Sequence, residues 1–472
     1  MKKVNKSQLV NDMTTLLGPD KVISSKLERY TYTYDSSFLS QLNEYYPDVV
    51  VCPMSTEEVQ KIMRYAYKNV IPVTPRGAGS GQTGGSVAVK GGIVLDLSGW
   101  TDIVEIDEKN MQVVVRPGIV HADLNVALSP YGLFFPPDPG SSKMATIGGM
   151  VGNNASGLRA VKFGNTGQYV LGLEVVLSDG EVIKTGGLHS RALKSVSGIN
   201  LTSLYVGSEG TLGVITQVRL KILPKPPCRG ILLTMFSSLD DAAATVLEVF
   251  KNGIVPSGIE ILDDSGIKAA NKFQPDLMLP EAEAALFFEI NGSKAAVDFE
   301  GQQVKAIAEK RASSVEWATD PQRMGKLWQG RAVIGAASAR VKEGATRIFC
   351  GEDVCFPMAR VPEALRRIKE IGAKHSTLVV IYGHIGDGNM HTAPIIDPLK
   401  PEEVEAAHRV ADDIHQLALE LEGSTTGEHG VGFTRSQYMV AEHGKALEIM
   451  RIIKDAIDPK GIMNPGKIWA ER

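Results

Sequence analysis

PRGAGSGQTGG, residues 75–85, is the stretch on which the fold is decided. Small residues in this density let backbone N–H groups come close to an anion, as phosphate-cradling loops do. The pattern GxGxxG is present at Gly79, Gly81 and Gly84, but a dinucleotide-binding Rossmann turn must open directly into a helix. Here the chain continues SVAVKGGIVLDLSG, which reads as turn and strand, so a nicotinamide site of that type is disfavoured. No Gly-Lys-Ser/Thr follows, which excludes a Walker A loop. The plain alternative, a glycine-rich connector, loses ground because three further segments accompany the loop: PPDPGSSKMATIGGMVGNNASG at 136–157, KFGNTGQYVLGLEVV at 162–176 and VGSEGTLGVIT at 206–216. Four spaced glycine-rich segments call for one large ligand.

Around the loop, residues 1–45 read as helical and polar, with Leu16, Leu17, Val22 and Ile23 as apolar anchors ahead of a Tyr-rich stretch. VVVCP, STEEVQKIMRYAYKNV and IPVTPRG then read as strand, capped helix and strand, with Ser55 or Thr56 ahead of Glu58 forming a capping box. Beta-rich stretches separated by Gly, Asp and Pro turns follow, Ser178-Asp179-Gly180 being a hairpin turn. Pro224, Pro226 and Pro227 stop helix and central strand alike and mark a boundary. Beyond it, strands (GILLTMF, AALFFEI, TLVVIYGHI) alternate with helices (SLDDAAATVLEVFKNG, VDFEGQQVKAIAEKRA, PEEVEAAHRVADDIHQLALELEG), which gives an α+β unit with an antiparallel sheet. The last segment is an amphipathic helix followed by a Pro/Gly-punctuated loop. The expected division is a ligand-binding domain over 1–226, a substrate or cap domain over 227–425, and a C-terminal segment, 426–472, that returns to the first domain.

The chain has 472 residues, more than one hydrophobic core usually supports. Its net charge is −4, and it contains no run of five Lys or Arg, so the electrostatic footprint of a nucleic-acid binder is missing. No stretch of 18 apolar residues suggests a transmembrane segment, and a cytoplasmic protein is expected unless a partner tethers it. The four cysteines, Cys52, Cys228, Cys350 and Cys355, do not have the spacing of iron–sulfur ligands. Were the chain a redox enzyme, its electrons would have to pass to oxygen, to a soluble acceptor or to another subunit.

A second, sharper signal is YGHIGDGNMH at 382–391, joined by TGEHGVG at 426–432. His384 and His391 would lie on opposite faces of one continuous strand, but Gly386-Asp387-Gly388 can turn the chain and bring both imidazoles to one point. Glu428 offers a carboxylate, and a His/His/Glu set with open positions suits Fe, Zn or Mn acting as a Lewis acid. His429 is adjacent to Glu428, so the two side chains are expected to diverge, one toward a metal and the other toward a substrate as general base. For His121, His189, His375, His408, His415 and His443 a hydrogen-bonded structural role is the favoured reading.

The order and residues of the glycine-rich segments, from about residue 49 to 223, resemble the FAD-binding half of the vanillyl-alcohol oxidase superfamily. The HxGDGNxxH and GEHG pair resembles the C-terminal domain of FAD-linked oxidases in the group of D-lactate dehydrogenase, D-2-hydroxyglutarate dehydrogenase and the flavin-bearing chain of glycolate oxidase. The resemblance implies a two-part FAD-binding domain followed by an α+β cap. Pro75, Arg76, Gly77, Ala78, Gly79, Ser80, Gly81, Gly84 and Gly85 would wrap the pyrophosphate. Pro137, Asp138, Ser141, Thr146, Gly148 and Gly149 would line the ring system, Asn153, Ser156, Glu209, Gly210 and Ile215 would complete the pocket, and Asn464 in IMNPGKI would return to the flavin edge. Members with covalent flavin carry a His where Ser80 stands, so dissociable FAD is expected. His384, His391 and Glu428 would bind a divalent metal, Fe or Zn.

The same resemblance makes His429 the general base and Arg331, in LWQGR with Trp328, the anchor for a substrate carboxylate; a guanidinium fork suits a carboxylate in two-point contact. Arg340 and Lys342 are lesser candidates. D-2-hydroxyglutarate dehydrogenases carry a further Lys where this chain has Cys350-Gly351-Glu352, which argues against a second carboxylate on the substrate. The implied activity is oxidation of a D-2-hydroxy acid, D-lactate foremost, by hydride transfer to flavin. An electron-transferring flavoprotein is the implied acceptor, and the alternative is a glycolate oxidase catalytic subunit working with an iron–sulfur subunit. A metal-binding or flavin-storage module without catalysis, and an alkyl-group oxidase on the same fold, fit the triad and the base less well.

Overall fold

The computed structural model describes residues 5–37, 45–348 and 353–470; Cys350, Gly351 and Glu352 lie outside them. The chain divides into two compact units. The first comprises Met1–Ser156, Asn165–Lys225 and Glu428–Arg472, and the second comprises Gly157–Gly164 and Pro226–Gly427.

In the first unit, a four-stranded sheet has the order Val22–Ile23, Val49–Val51, Ile93–Asp96, Val73–Arg76, with parallel pairing among the last three. These strands are covered on both faces, which is why they read as unbroken apolar runs and not as alternation. Helix Thr56–Asn69 packs on them through Val59, Ile62, Met63 and Ala66, all fully buried, one stripe at helical spacing. Ser55 caps it by accepting the Glu58 N–H. The capping box is incomplete: Glu58 turns back to the N–H of Met54 at 2.8 Å, with Lys21 on its other oxygen. Val22 and Ile23 are not helical anchors but a short strand, paired antiparallel with Val50 and Val51; two β-branched residues after Pro19 favour extension over helix. A second sheet of five antiparallel strands has the order Ile103–Asp107, Gln112–Val115, Val214–Lys221, Val170–Val176, Val182–Lys184. The Ser178-Asp179-Gly180 turn joins its last two members, with Gly180 at φ +86°.

The second unit is an eight-stranded sheet whose main path runs Ser314–Ala318, Cys228–Phe236, Ala284–Gly292, Gly258–Asp263, Leu378–His384, Asn389–Ile396, Thr346–Arg347. Every strand pairing in it is antiparallel. Alternate residues of each strand enter different cores. Leu232 and Phe236 join one with helices Leu239–Lys251, Lys294–Ala308, Val361–Lys374 and Pro401–Glu420. Ile231, Leu233 and Met235 join the other with helices Asp264–Phe273 and Pro321–Ala332. Residues 157–164 belong to this unit because Arg159 forms a two-point pair with Glu289 (2.7 and 2.8 Å) and Lys162 holds Asn291. The first unit is thus interrupted and does not run unbroken over 1–226. Among the described residues, no helix is long and apolar enough to cross a membrane.

Two glycines admit the Trp317 indole between strand and helix. A Cβ on Gly230 would fall 2.2 Å from its ring, and one on Gly301, within helix Lys294–Ala308, 2.3 Å. Gly-to-Ala in a helix interior ordinarily stabilises by up to about 1 kcal/mol. Here Gly301→Ala is expected to destabilise by about 1–3 kcal/mol through overpacking. Urea denaturation reads the sign directly, and a raised midpoint would refute the packing argument.

Candidate active site

The glycine-rich loop leaves strand Val73–Arg76 and turns at Gly79 (φ +66°) and Gly84 (φ +74°). The Arg76 guanidinium is buried inside it, donating from Nη2 to Tyr34 O (2.8 Å) and from Nη1 to Ser86 O (3.3 Å). A Cβ on Gly79 would sit 2.2 Å from Arg76 Nη2. Arg76 therefore braces the loop from within, so of the residues expected to wrap a pyrophosphate this one supports the loop's shape. Gly77 is equally constrained, since a Cβ there would meet Thr146 Oγ1 at 2.2 Å. Thr146 caps helix Ile147–Asn153 by accepting the Gly149 N–H, and a Cβ on Gly148 would be 2.6 Å from Pro117. Asn464 Nδ2 donates to Gly85 O (2.9 Å) and Glu209 O (2.7 Å), and Gly210 lies against Pro75.

The expected residues at 75–85, 146–149, 209–210 and 464 are thus brought together. Ile215 lies in strand Val214–Lys221, paired with Val175. Pro137, Asp138 and Ser141 lie ahead of helix Ile147–Asn153, where Ser141 O accepts the Met144 and Ala145 amides, and Ser156 closes the first stretch of the unit.

A polar ligand fits this neighbourhood. Asp35 Oδ2, Gln82 Oε1 and Asn464 Oδ1 are buried without a hydrogen-bond partner among the described residues, a state that native proteins seldom leave unfilled. Asp35 and Gln82 lie at the loop itself, Ser36 N–H being bonded to Gly81 O. Lys467, wholly buried, donates to Val87 O at 2.6 Å, and burial pushes its ammonium down to about 7 against the pull of Asp35 and Glu209.

The part of the TGEHGVG segment from Glu428 onward passes close by in the same unit. Asn153 Nδ2 donates to Glu428 O (2.9 Å), and Thr83 Oγ1 donates to His429 O (3.4 Å). The two Glu209 oxygens accept the Val431 and Gly432 amides at 2.7 Å each. Burial raises the pKa of Glu209, and those two amides oppose the shift. The Glu428 and His429 side chains do not diverge: Glu428 Oε1 is 3.6 Å from His429 Nε2. The rule that neighbours point to opposite faces belongs to strands, and this segment is a loop with Gly430 at φ +78° and Gly432 at φ +53°.

In the second unit, YGHIGDGNMH forms the predicted hairpin. Tyr382 pairs with His391 and His384 with Asn389, so this register sets both histidines on one face. Gly388 (φ +84°) cannot be replaced without a clash, because its Cβ would lie 2.1 Å from Phe356 O. The two Nε2 atoms face each other at 3.4 Å with the rings at 87°. His384 Nδ1 meets Glu260 Oε1 at 2.7 Å, and Glu260 Oε2 accepts from Arg331 Nε at 2.5 Å. A proton on Nδ1 donated to Glu260 leaves Nε2 of His384 as a lone-pair donor, a donor set that suits a divalent cation. Arg331 also lies over the Tyr382 ring. With Nε given to Glu260, only its terminal nitrogens can meet a substrate carboxylate.

Glu260 and Asp353 escaped the sequence reading. Asp353 accepts from Asn389 Nδ2 (2.6 Å), Thr426 Oγ1 (2.9 Å) and the Gly427 N–H (3.0 Å), tying the hairpin to the residues just ahead of Glu428. The available signal was an acid set among apolar residues, Glu260 between Ile259 and Ile261 in strand Gly258–Asp263 and Asp353 directly ahead of strand Val354–Cys355. His121, His189 and His375 are hydrogen-bonded to Ser142, Lys184 O and Asp413 as structural residues.

The Lys467 geometry yields a pH dependence. Its folded value, about 7, lies below its ordinary 10.5, so between these pH values the unfolded chain binds more protons. Stability from this residue is complete only above 10.5 and is lost as pH falls toward 7. In the FAD-free chain, Lys467→Met should add a few kcal/mol of stability at or below neutral pH, at about 1.4 kcal/mol per unit, with the gain closing toward pH 10. A gain independent of pH would dismiss the buried ammonium as its cause.

Residues 47–186 match the family model described as FAD binding domain, and residues 225–468 match that of the FAD linked oxidases, C-terminal domain. The glycolate oxidase subunit GlcD of Bacillus subtilis is 36% identical over 456 residues, covering 96% of this chain and 95% of that protein. A D-lactate dehydrogenase of Anaerostipes hadrus is 33% identical, with 96% and 95% covered. The mitochondrial D-lactate dehydrogenase [cytochrome] of Arabidopsis thaliana is 37% identical, with 98% and 80% covered. Among solved structures, p-cresol methylhydroxylase superposes with a TM-score of 0.80 at 17% identity, over 98% of this chain and 97% of that one, a likeness of fold alone. With both halves matched and relatives aligned along nearly the whole length, the chain belongs to the FAD-linked oxidases, flavin-dependent oxidoreductases of the vanillyl-alcohol oxidase fold.

Proposed function

We propose that this enzyme oxidises a D-2-hydroxy acid, D-lactate foremost, to the 2-oxo acid, and passes the electrons to a partner protein such as an electron-transferring flavoprotein. The observation that carries the reading is the buried pair His384 and His391, with Nε2 atoms face to face and one ring locked by Glu260. A flavin enzyme acting on unactivated apolar carbon has no use for such a donor set, whereas a hydroxyl that must lose its proton does. D-Lactate dehydrogenases among the relatives support the substrate class.

Bound FAD supplies a two-electron acceptor, held non-covalently since Ser80 offers no attachment atom of the histidine kind, and a divalent metal, Fe or Zn, supplies Lewis-acid polarisation of the hydroxyl oxygen. His384 and His391 hold the metal, joined by Glu428, which directly follows Gly427, the residue anchored by Asp353. Arg331 receives the substrate carboxylate through its terminal nitrogens and is itself fixed by Glu260. His429 accepts the hydroxyl proton, which an imidazole can do near neutral pH. The relative named as a glycolate oxidase subunit favours a second reading, in which the acid is glycolate and the acceptor an iron–sulfur subunit.

The deciding experiment is anaerobic titration of the holoprotein with D-lactate, L-lactate, glycolate and D-2-hydroxyglutarate, following the flavin band. D-Lactate should bleach it, chelation should abolish the bleaching, and His429→Ala should retain FAD yet bleach at least ~100-fold more slowly. Indifference of the band to all four acids, with FAD and metal both present, would reject the reading. Glu260→Gln removes the carboxylate that fixes the His384 tautomer and should weaken metal binding by about 10- to 100-fold, measured as metal retained after dialysis against graded chelator. Unchanged retention would remove Glu260 from that role.

A further inference from the structure

Resting on the proposed role of His429 as base, we propose that Glu209 is the positioning residue for that base, and that the base-bearing loop is built onto the flavin-binding scaffold. The contacts all fall within the first unit. Glu209 is contributed by the SEG segment and sits in a left-handed conformation (φ +51°), with Gly210 beside it at φ +70°. From that turn the carboxylate meets the loop, where its oxygens accept two successive amides, Val431 and Gly432. Paired N–H bonds to a buried carboxylate are among the stronger restraints available to a loop without regular structure. Two other glycine-rich segments hold the same loop: Thr83 bonds His429 O and accepts the Phe433 amide at 2.8 Å, and Asn153 holds Glu428 O.

Close packing makes the arrangement rigid. A Cβ at Gly430 would lie 2.4 Å from Asn153 Oδ1, and one at Gly432 would lie 2.2 Å from Thr83 O. Both glycines are therefore required by the neighbours that grip the loop as well as by their positive φ. Three segments that frame the flavin site thus each give one residue to the segment carrying His429. The group that takes the proton is registered to the loops around the electron acceptor by bonds of a single unit. Glu209, expected as a lining residue of the flavin pocket, has both oxygens committed to this task.

Glu209→Gln keeps the size but places an NH2 where one amide needs an acceptor, and it is the first test, made on FAD-loaded protein. Amide exchange read by mass spectrometry on a peptide covering 428–434 should accelerate by ~10-fold or more, with FAD content unchanged. Turnover with the bleaching acid should fall ~10-fold or more in kcat with little change in KM, because a misplaced base costs rate and not ground-state binding. Thr83→Val, which removes only the hydroxyl bonded to His429 O, is the second variant should the first fail to fold, and it should show the same pattern to a smaller degree. Unchanged exchange together with turnover within about twofold of wild type would overturn the proposal. The exchange measurement needs no substrate, so it still decides the positioning role if no hydroxy acid bleaches the flavin and the functional reading falls.

Discussion

A carboxylate with no exposed surface, Glu260, in the middle of an eight-stranded sheet, is the constraint around which the second unit's buried Arg331 and His384 are arranged. Burying an unpaired anion is prohibitively unfavourable, and one taken out of water must be met by cations and hydrogen-bond donors of good geometry. Glu260 is met on both oxygens, by Arg331 and by His384. Neither partner can leave without stranding the charge, so the sheet fixes the guanidinium and the imidazole as firmly as it fixes its own backbone. The helix that supplies Arg331 and the hairpin that supplies His384 are far apart in sequence, and their common partner sets their relation.

Glycine has two distinct uses around the loops of the first unit. At Gly77, Gly79 and Gly148 the missing Cβ makes room for Thr146, Arg76 and Pro117, which is a requirement of protein against protein. At Gly81 the nearest neighbour is the Asp35 carboxylate at 3.9 Å, and at Gly140 and Gly152 a Cβ would meet nothing within 4 Å, so close packing does not account for those three. A glycine-rich signature therefore mixes residues that shape a cradle with residues that leave it open, and only neighbours in space separate the two.

That distinction explains what was legible in the sequence. Turns and hairpins are written locally, in Gly, Asp and the change from helical to alternating periodicity, so the 75–85 loop, the His384/His391 hairpin and most strands could be read directly. The bracing role of Arg76, the grip of Asp353 on Asn389 and Gly427, the pairing of Arg159 with Glu289, and the approach of Glu428 to His429 each depend on a partner distant in sequence or on a loop conformation that no periodicity encodes. Glu260 carried a faint signal, an acid between two isoleucines in GIEILD. Such an acid tells the reader that a cation must come but not which one.

The proposed chemistry gives this sharing of Glu260 a further meaning. Arg331 and a cation held by His384 would both bring positive charge to one small volume, where a substrate carboxylate and a hydroxyl that must become anionic are to be stabilised. Two unshielded positive centres would repel each other in a medium of low dielectric. The Glu260 carboxylate, placed between the guanidinium and His384, would reduce that repulsion. It also raises the basicity of the imidazole it bonds, which strengthens the ligand. Replacing Glu260 by a neutral residue of the same shape would then alter metal retention and carboxylate binding together, although the residue touches neither group. A role of that kind is set by charge placement inside the sheet, so on the proposed chemistry the strand Gly258–Asp263, with no glycine-rich motif and no histidine, would belong to the active centre as much as the hairpin beside it.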